Sequence, residues 1–200
     1  NGEDIFLRHD IDFSLENALS IAELENKLDI KSVYFFMLSS NTYNLLSEFN
    51  KSLVFKIKDL GHMISIHFDP IVYTNINKSF IKEKNTFDSF FSTNIDFVSI
   101  HRPGIFLKNN NHKLPKVRHT YEDRYFKDMH YLSDSGGRDI TKELGGLKPN
   151  IKSRPIHLLL HPIWWTSENN SVNSTLNSCI SKKYDFLKQE TRKNCRTYTD

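Results

Sequence analysis

Two carboxylates and an arginine share one face of the first predicted strand. Arg8, Asp10 and Asp12 are spaced two residues apart in an apolar, β-prone segment, and alternate residues of a strand point to the same side. Ionised carboxylates are costly to bury unless they are paired or bind a metal. This face therefore predicts either metal-assisted acid–base chemistry or a buried salt-bridge network that joins the two carboxylates to Arg8 and Arg102.

Polar residues also fall at the ends of the later predicted strands, which cover residues 33–38, 63–69, 97–101, 129–132 and 156–160. The residues are His67 and Asp69, His101 and Arg102, Asp134, and His161. Strands that alternate with helices predict a parallel sheet with right-handed crossovers, closed into a barrel or a partial barrel. Functional side chains of such folds lie at the carboxyl ends of the strands. We therefore expect these residues to meet Asp10 and Asp12 at one edge of the sheet.

Composition narrows the classes of partner. The chain has 200 residues, of which 38% are hydrophobic, and residues 1–200 are predicted to form a single catalytic domain. The net charge of +3 comes from 27 basic and 24 acidic residues spread along the sequence, which argues against nucleic acid as a partner. No apolar run is long enough for a membrane span. The sequence leaves the oligomeric state open.

Two further features concern the compartment and the loops. Cys179 and Cys195 are the only cysteines, and they predict free thiols in a reducing compartment. The N-terminus does not resemble a signal peptide, so the expected location is the cytoplasm. Residues 107–124 are polar, with three consecutive asparagines, and predict a long loop or a lid.

Five short motifs, in this order, resemble the polysaccharide deacetylases. They are HDID (9–12), GHMISIH (61–67), HRPG (101–104), SDS (133–135) and LLHP (159–162). The resemblance extends over about residues 5–165 and implies a metal-dependent enzyme with a distorted (β/α) barrel. It also implies a role for six residues: Asp10 as general base, Asp12 and His67 as metal ligands, Arg102 as the group that orients the base, Asp134 as the group that tunes the distal histidine, and His161 as general acid.

The third metal ligand departs from the family pattern. The family usually has a second metal-binding histidine four residues after the first, and that position is Ile71 here, which cannot bind a metal. A catalytic zinc site needs about three protein ligands and one open position. We predict His101 as the substitute, with Asp69 as the second choice, and we expect one divalent ion, zinc before others.

These inferences define a function and its rivals. The main hypothesis is a hydrolase that removes an acetyl or formyl group from an N-acylated amino sugar or nucleotide sugar in bacterial surface-polysaccharide metabolism. One rival hydrolyses another carbon–nitrogen amide bond on the same fold. A second rival is a glycan-binding module with a decayed metal site, suggested by Ile71. His9 and His157 are predicted to be structural rather than catalytic.

Overall fold

Within residues 5–108, 113–146, 154–167 and 171–199, which this computed structural model describes, seven strands form one parallel sheet. The strands are β1 (Ile5–Ile11), β2 (Val33–Phe36), β3 (Met63–Phe68), β4 (Phe97–Ile100), β5 (Arg118–His119), β6 (His130–Ser133) and β7 (Ile156–Leu160). Their order across the sheet is β5-β4-β3-β2-β1-β7-β6. This order places β1 at the centre, between β2 and β7.

Helices connect the strands and cover the sheet. They are α1 (Leu15–Lys27), α2 (Glu48–Asp59), α3 (Ile76–Phe91), α4 (Gly104–Lys108), α5 (Asp123–Phe126), α6 (Thr141–Gly145), α7 (Pro162–Trp165) and α8 (Val172–Asn194). The sheet curls into an open half-barrel. The predicted α/β architecture of a distorted or partial (β/α) barrel is confirmed.

Serine caps set the start of the helices that follow the first two strands. The Ser14 hydroxyl accepts a hydrogen bond from the backbone N–H of Asn17 at the start of α1, and Ser47 caps α2 in the same way through Asn50. Such caps satisfy N–H groups that have no partner inside the helix. Because β1 ends at Ile11 and Ser14 already caps α1, the turn that carries Asp12 is short.

The predicted polar loop at 107–124 is partly wrong. Its first two residues belong to α4, its last two belong to α5, and β5 lies between them; residues 109–112 are outside the described part of the chain. The strand β5 has only two residues and joins the sheet through its backbone, with the N–H of Arg118 bound to the carbonyl of Asp96 at 2.8 Å. A strand of two residues is too short to leave a hydrophobic period in the sequence.

The last helix is long and largely exposed. The helix α8 is the longest, with 23 residues, and Thr175 is its only buried member. Among the described residues, no helix combines the length and the apolar character that a membrane crossing requires.

His157, which we predict to be structural, packs among aromatic rings in β7. It is fully buried in β7, where its ring packs 4.9 Å from the ring of Phe6 and 5.0 Å from that of Tyr131, measured between ring centres. Its Nδ1 lies 2.9 Å from the carbonyl oxygen of Tyr125. Burial is the main cause that lowers the pKa of His157 to about 4, and the charge of Arg8 acts in the same direction.

We expect His157 to make the fold acid-sensitive. Because its folded pKa is about 4 and an unfolded histidine has a pKa near ~6.5, the unfolded chain binds the proton more readily, and stability falls as the pH drops between these values. The loss is about 3 kcal/mol between pH 7 and pH 4. Urea unfolding across this range should show a shallower dependence in His157→Asn, whose amide can still donate to the Tyr125 carbonyl. The exposed His130, changed to Asn, is the control; equal slopes in wild type and His157→Asn would contradict the prediction.

Candidate metal centre

Three side chains that could bind a metal converge at the carboxyl edge of the sheet. Asp12 follows β1, His67 lies in β3 and His101 follows β4. The Nε2 of His67 is 3.0 Å from the Nδ1 of His101, and the Oδ1 of Asp12 is 3.3 Å from the first nitrogen and 3.4 Å from the second. Ligand atoms around a tetrahedral zinc, with bonds of about 2.0–2.1 Å, lie ~3.3–3.4 Å apart. The three atoms therefore have the spacing that one such ion requires.

The electrostatics of this cluster also fit a cation. The Oδ1 of Asp12 is buried and has no hydrogen-bond partner within the described part of the chain. Burial raises the pKa of Asp12, but the neighbouring imidazoles of His67, His161 and His101 outweigh it and lower the pKa to about 2. A buried, charged oxygen without a donor is costly. A cation at this point would remove that cost, so the residues present fit a divalent ion.

Ser99 in β4 fixes which nitrogen of His67 is free. Its buried hydroxyl donates to the Oδ2 of Asp10 at 3.0 Å, and it accepts from Arg8 at 2.8 Å. A hydroxyl has only one hydrogen to donate, so the Nδ1 of His67, 3.0 Å away, must be the donor in their contact. The Nε2 of His67 then presents its lone pair to Asp12 and His101, as a metal ligand must.

Asp10 is held as a buried carboxylate beside this cluster. Its Oδ2 lies 3.7 Å from the guanidinium of Arg8 and 3.7 Å from the Nδ1 of His67. Burial raises the pKa of Asp10, but the positive charge of Arg8 and the neighbouring imidazoles of His67 and His161 outweigh it, so that the pKa lies below the ordinary value. The Oδ1 of Asp10 is buried and without a hydrogen-bond partner among the described residues. This oxygen is free to accept a proton.

Arg102 pairs with Asp69, whereas the family resemblance implied that it orients Asp10. Arg102 forms an ion pair with the Oδ2 of Asp69, and its side chain is 52% exposed, whereas Arg8 is fully buried beside Asp10. Arg102 comes after the last residue of β4 and has a left-handed φ of 47°, so the strand alternation no longer sets its direction. The Oδ1 of Asp69 accepts from the backbone N–H of Ile71 at 3.1 Å. Both oxygens of Asp69 are therefore engaged, and His101, rather than Asp69, lies in the cluster with Asp12 and His67.

His161 faces the cluster from the opposite side, after β7. Its Nδ1 lies 2.6 Å from the Oδ1 of Asp134, and its backbone N–H donates to both oxygens of the same carboxylate. The indole N–H of Trp165 donates to Asp134 as well, at 2.6 Å. Burial lowers the pKa of His161, but the hydrogen bond to Asp134 and the charge of Asp10 outweigh it and raise the pKa. The free Nε2 is 3.7 Å from the Oδ2 of Asp12.

Ser99 is the site residue that the sequence analysis missed. It touches Arg8, Asp10 and His67 at once. The signal that could have found it is the strand period, because Ser99 stands two residues before His101 and so shares its face. Ile71, which stands where the family usually has its second metal-binding histidine, lies in a short 3-10 turn at Pro70–Val72 and is 45% exposed.

Comparison of sequences finds no match for this chain, whereas comparison of structures finds solved proteins with the same fold. No family model and no curated protein matches it. The wild-type BA3943, a CE4 family pseudoenzyme from Bacillus anthracis, aligns with a TM-score of 0.53 and 14% identity over 92% of this chain and 62% of that one. The chain has the CE4 fold. It spans slightly less than two thirds of BA3943.

Two BA3943 mutants match the CE4 fold of this chain equally well. One is described as a CE4 family pseudoenzyme with restored enzymatic activity, at a TM-score of 0.53 and 14% identity over 92% of this chain and 64% of that one. The other has 15% identity at the same TM-score, over 92% of this chain and 63% of that one. The fold is the (β/α) barrel of the polysaccharide deacetylases that the sequence motifs implied.

Proposed function

We propose that this chain is a divergent member of the polysaccharide deacetylases: a metal-dependent hydrolase that removes an acetyl or formyl group from an N-acylated amino sugar. One observation carries the proposal. Three ligand atoms of Asp12, His67 and His101 lie 3.0–3.4 Å apart, between a buried carboxylate, Asp10, and a histidine, His161, that is held by a second carboxylate. Metal-assisted hydrolysis of an amide uses these three parts: a cation, a base and an acid.

The proposed metal ligands are Asp12, His67 and His101. Two imidazoles and one carboxylate are a donor set that zinc accepts with a position left open, and zinc is the ion we propose. When bound, a divalent ion supplies Lewis acidity for a water molecule and for the acyl carbonyl group.

Asp10 is the proposed general base. Its unpartnered Oδ1 takes the proton of the attacking water, while Arg8 and Ser99 hold the other oxygen. The charge of Arg8 keeps Asp10 ionised before the reaction, and it also fixes the orientation of the carboxylate. Arg8 thus has the task that the family resemblance assigned to Arg102.

His161 is the proposed general acid. Its Nδ1–H is bound to Asp134, so the Nε2 faces the centre. The raised pKa favours the protonated form of His161, which can deliver its proton to the amine that leaves. Asp134 and Trp165 fix the ring in this orientation, which makes Asp134 a positioning residue.

The proposal also covers the pathway, the compartment and the substrate. We propose that the reaction serves surface-polysaccharide synthesis and occurs in the cytoplasm, a location supported by the free thiols of Cys179 and Cys195. The acylated group is proposed to be part of a sugar because the motifs and the CE4 fold both point to carbohydrate deacetylation.

Metal content and product analysis test this function. We expect about one zinc ion per purified chain after incubation with zinc salt and removal of unbound metal. A panel of N-acetyl and N-formyl amino sugars should then yield free amine and acetate or formate in equal amounts, measured by NMR. Turnover of cyclic amides with no release of acid from the sugars would favour the rival carbon–nitrogen hydrolase.

A glycan-binding module is the second candidate. The exposed Ile71 at a family ligand position and the match to a CE4 family pseudoenzyme both favour it. It predicts saturable sugar binding with no turnover of any acylated sugar and no metal in the purified chain, which would exclude the hydrolase.

A further inference from the structure

Asp12, a proposed metal ligand, lies just beyond the end of its strand. The strand β1 ends at Ile11, and Ile11 pairs with Phe36, the last residue of β2. The carbonyl groups of Ile11 and Asp12 therefore stand where the ladder between the two strands stops. Backbone carbonyls in such a position need another donor. The group that supplies this donor decides how firmly the backbone of Asp12 is held.

Two hydroxyl groups of the β2–α2 connection supply these donors. The hydroxyl of Thr42 donates to the carbonyl of Asp12 at 2.5 Å, and that of Tyr43 donates to the carbonyl of Ile11 at 2.6 Å. The Tyr43 hydroxyl also accepts from the backbone N–H of Met37 at 2.8 Å. It thus bridges the two chain segments just beyond the last paired residues of β1 and β2. Side chains, rather than the sheet ladder, tie the segment that carries Asp12 to its neighbour.

Ser40 fixes the direction of the Thr42 hydroxyl. The two side-chain oxygens are 2.8 Å apart, and the Ser40 oxygen accepts from the backbone N–H of Thr42 at 3.0 Å. A hydroxyl has one hydrogen to donate, and a carbonyl group can only accept. Because Thr42 gives its hydrogen to the carbonyl of Asp12, Ser40 must be the donor in their contact. We call Ser40, Thr42 and Tyr43 the hydroxyl clamp.

The last helix also holds the hydroxyl clamp. The ammonium group of Lys183 in α8 donates to the backbone carbonyl of Thr42 at 2.6 Å. Lys183 is partly buried, whereas its neighbour Lys182 is exposed. Hydrogen bonds from a charged donor are stronger than those between neutral groups. A residue of the C-terminal helix is therefore bonded directly to the residue that holds Asp12.

We propose that Thr42 is a positioning residue for the metal ligand Asp12 and that Lys183 acts through Thr42, so that the docking of α8 contributes to the metal affinity of the centre. The inference rests on the proposed function, because it assumes that Asp12 binds the ion. Partners that orient a ligand from outside the coordination shell change metal affinity by about 10–100-fold. Asp12 supplies the only carboxylate of the ligand cluster, so its placement matters more than that of a distant charge.

The zinc affinity of single variants tests the hydroxyl clamp. Thr42→Val keeps the shape of the side chain and removes the hydroxyl, whereas Thr42→Ser keeps the hydroxyl. Zinc dissociation constants are measured by competition with a chromophoric chelator. We expect Thr42→Val to raise the constant about tenfold and Thr42→Ser to stay within about twofold of the wild type. Lys183→Met should raise it by about threefold or more, and Lys182→Met is the matched control that should leave it unchanged.

The double variant Thr42→Val/Lys183→Met shows whether Lys183 acts through Thr42. If it does, the two effects are not additive, and the double variant binds zinc about as weakly as Thr42→Val alone. Additive effects would overturn this link. Unchanged zinc affinity in Thr42→Val, or a weakened affinity that Thr42→Ser shares, would overturn the positioning role of the hydroxyl. Thermal unfolding of the metal-free variants confirms that each is folded.

The same assay separates this inference from the proposed function. Wild-type protein that binds no zinc would reject the metal centre and the hydroxyl clamp together. Release of acid from acylated sugars, with wild-type zinc affinity in both Thr42→Val and Lys183→Met, would keep the enzyme and reject the clamp alone. Zinc affinity that depends on Thr42, without turnover of any sugar, would keep the clamp and reject the hydrolase.

Discussion

Replacing Asp12 with asparagine is expected to remove the bound metal and lower kcat/KM by at least about a thousandfold. Asparagine keeps the shape of the side chain but loses the charge, and Asp12 supplies the only carboxylate of the proposed ligand set. Loss of an ion that provides several kcal/mol of transition-state stabilisation corresponds to this factor. Elemental analysis of the variant should give a metal-to-protein ratio near zero, and steady-state assays should give the loss in rate.

Asp69→Asn is the matched control for this result. Asp69 is a buried carboxylate close to the same edge of the sheet, but its oxygens are bound to Arg102 and to the N–H of Ile71. We expect this variant to keep its metal. The reverse pattern, with metal lost in Asp69→Asn and retained in Asp12→Asn, would show that the ligand set is wrong and that Asp69 is the third ligand.

Asp10→Asn is expected to lower kcat by about 10²–10⁴-fold while the metal remains bound, because general base catalysis contributes a factor of this size. Asp10 does not belong to the ligand cluster, and its Oδ1 is the atom available for a proton. Retained metal with lost turnover is the signature that separates a base from a ligand. Metal loss in this variant would contradict the assignment.

Stability must be measured on the same sample, because the substitution leaves the guanidinium of Arg8 buried without its counter-charge. Breaking a buried ion pair costs about 3–5 kcal/mol, and thermal unfolding reports that cost. Asp88→Asn is the control: Asp88 in α3 pairs with Lys84 at 2.6 Å and accepts from Thr93 and Ile95. It should lose stability and keep both metal and turnover.

The sequence by itself determined the parallel sheet and the edge at which the candidate site lies. Alternation along β1 places Arg8 and Asp10 on one face, and the structure shows the two side chains 3.7 Å apart. Parallel strands end at a common edge, so the side chains of Asp12, His67 and His101 converge as the strand ends predicted. These features follow from a period of two residues and from the direction of the strands, and both are local properties of the chain.

Only the tertiary structure decided which charged groups pair. The resemblance implied that Arg102 orients Asp10, but Arg102 has a left-handed backbone and pairs with Asp69, whereas Arg8 lies 3.7 Å from Asp10. The contact of Ser99 with Asp10 joins residues that are 89 positions apart. Local patterns carry no information on such distances, because side-chain contacts across a sheet depend on strand order and register.

The strand β5 and the position of α8 were likewise decided by the tertiary structure. The strand is held by backbone hydrogen bonds, for example from Thr120 to Val98 at 3.0 Å, and these do not depend on side-chain type. The helix α8 lies over the connection after β2, where Lys183 reaches the carbonyl of Thr42, 141 residues away in the sequence. Helix periodicity predicts that α8 forms, but its place in the molecule is set by packing between distant segments, which local sequence does not encode.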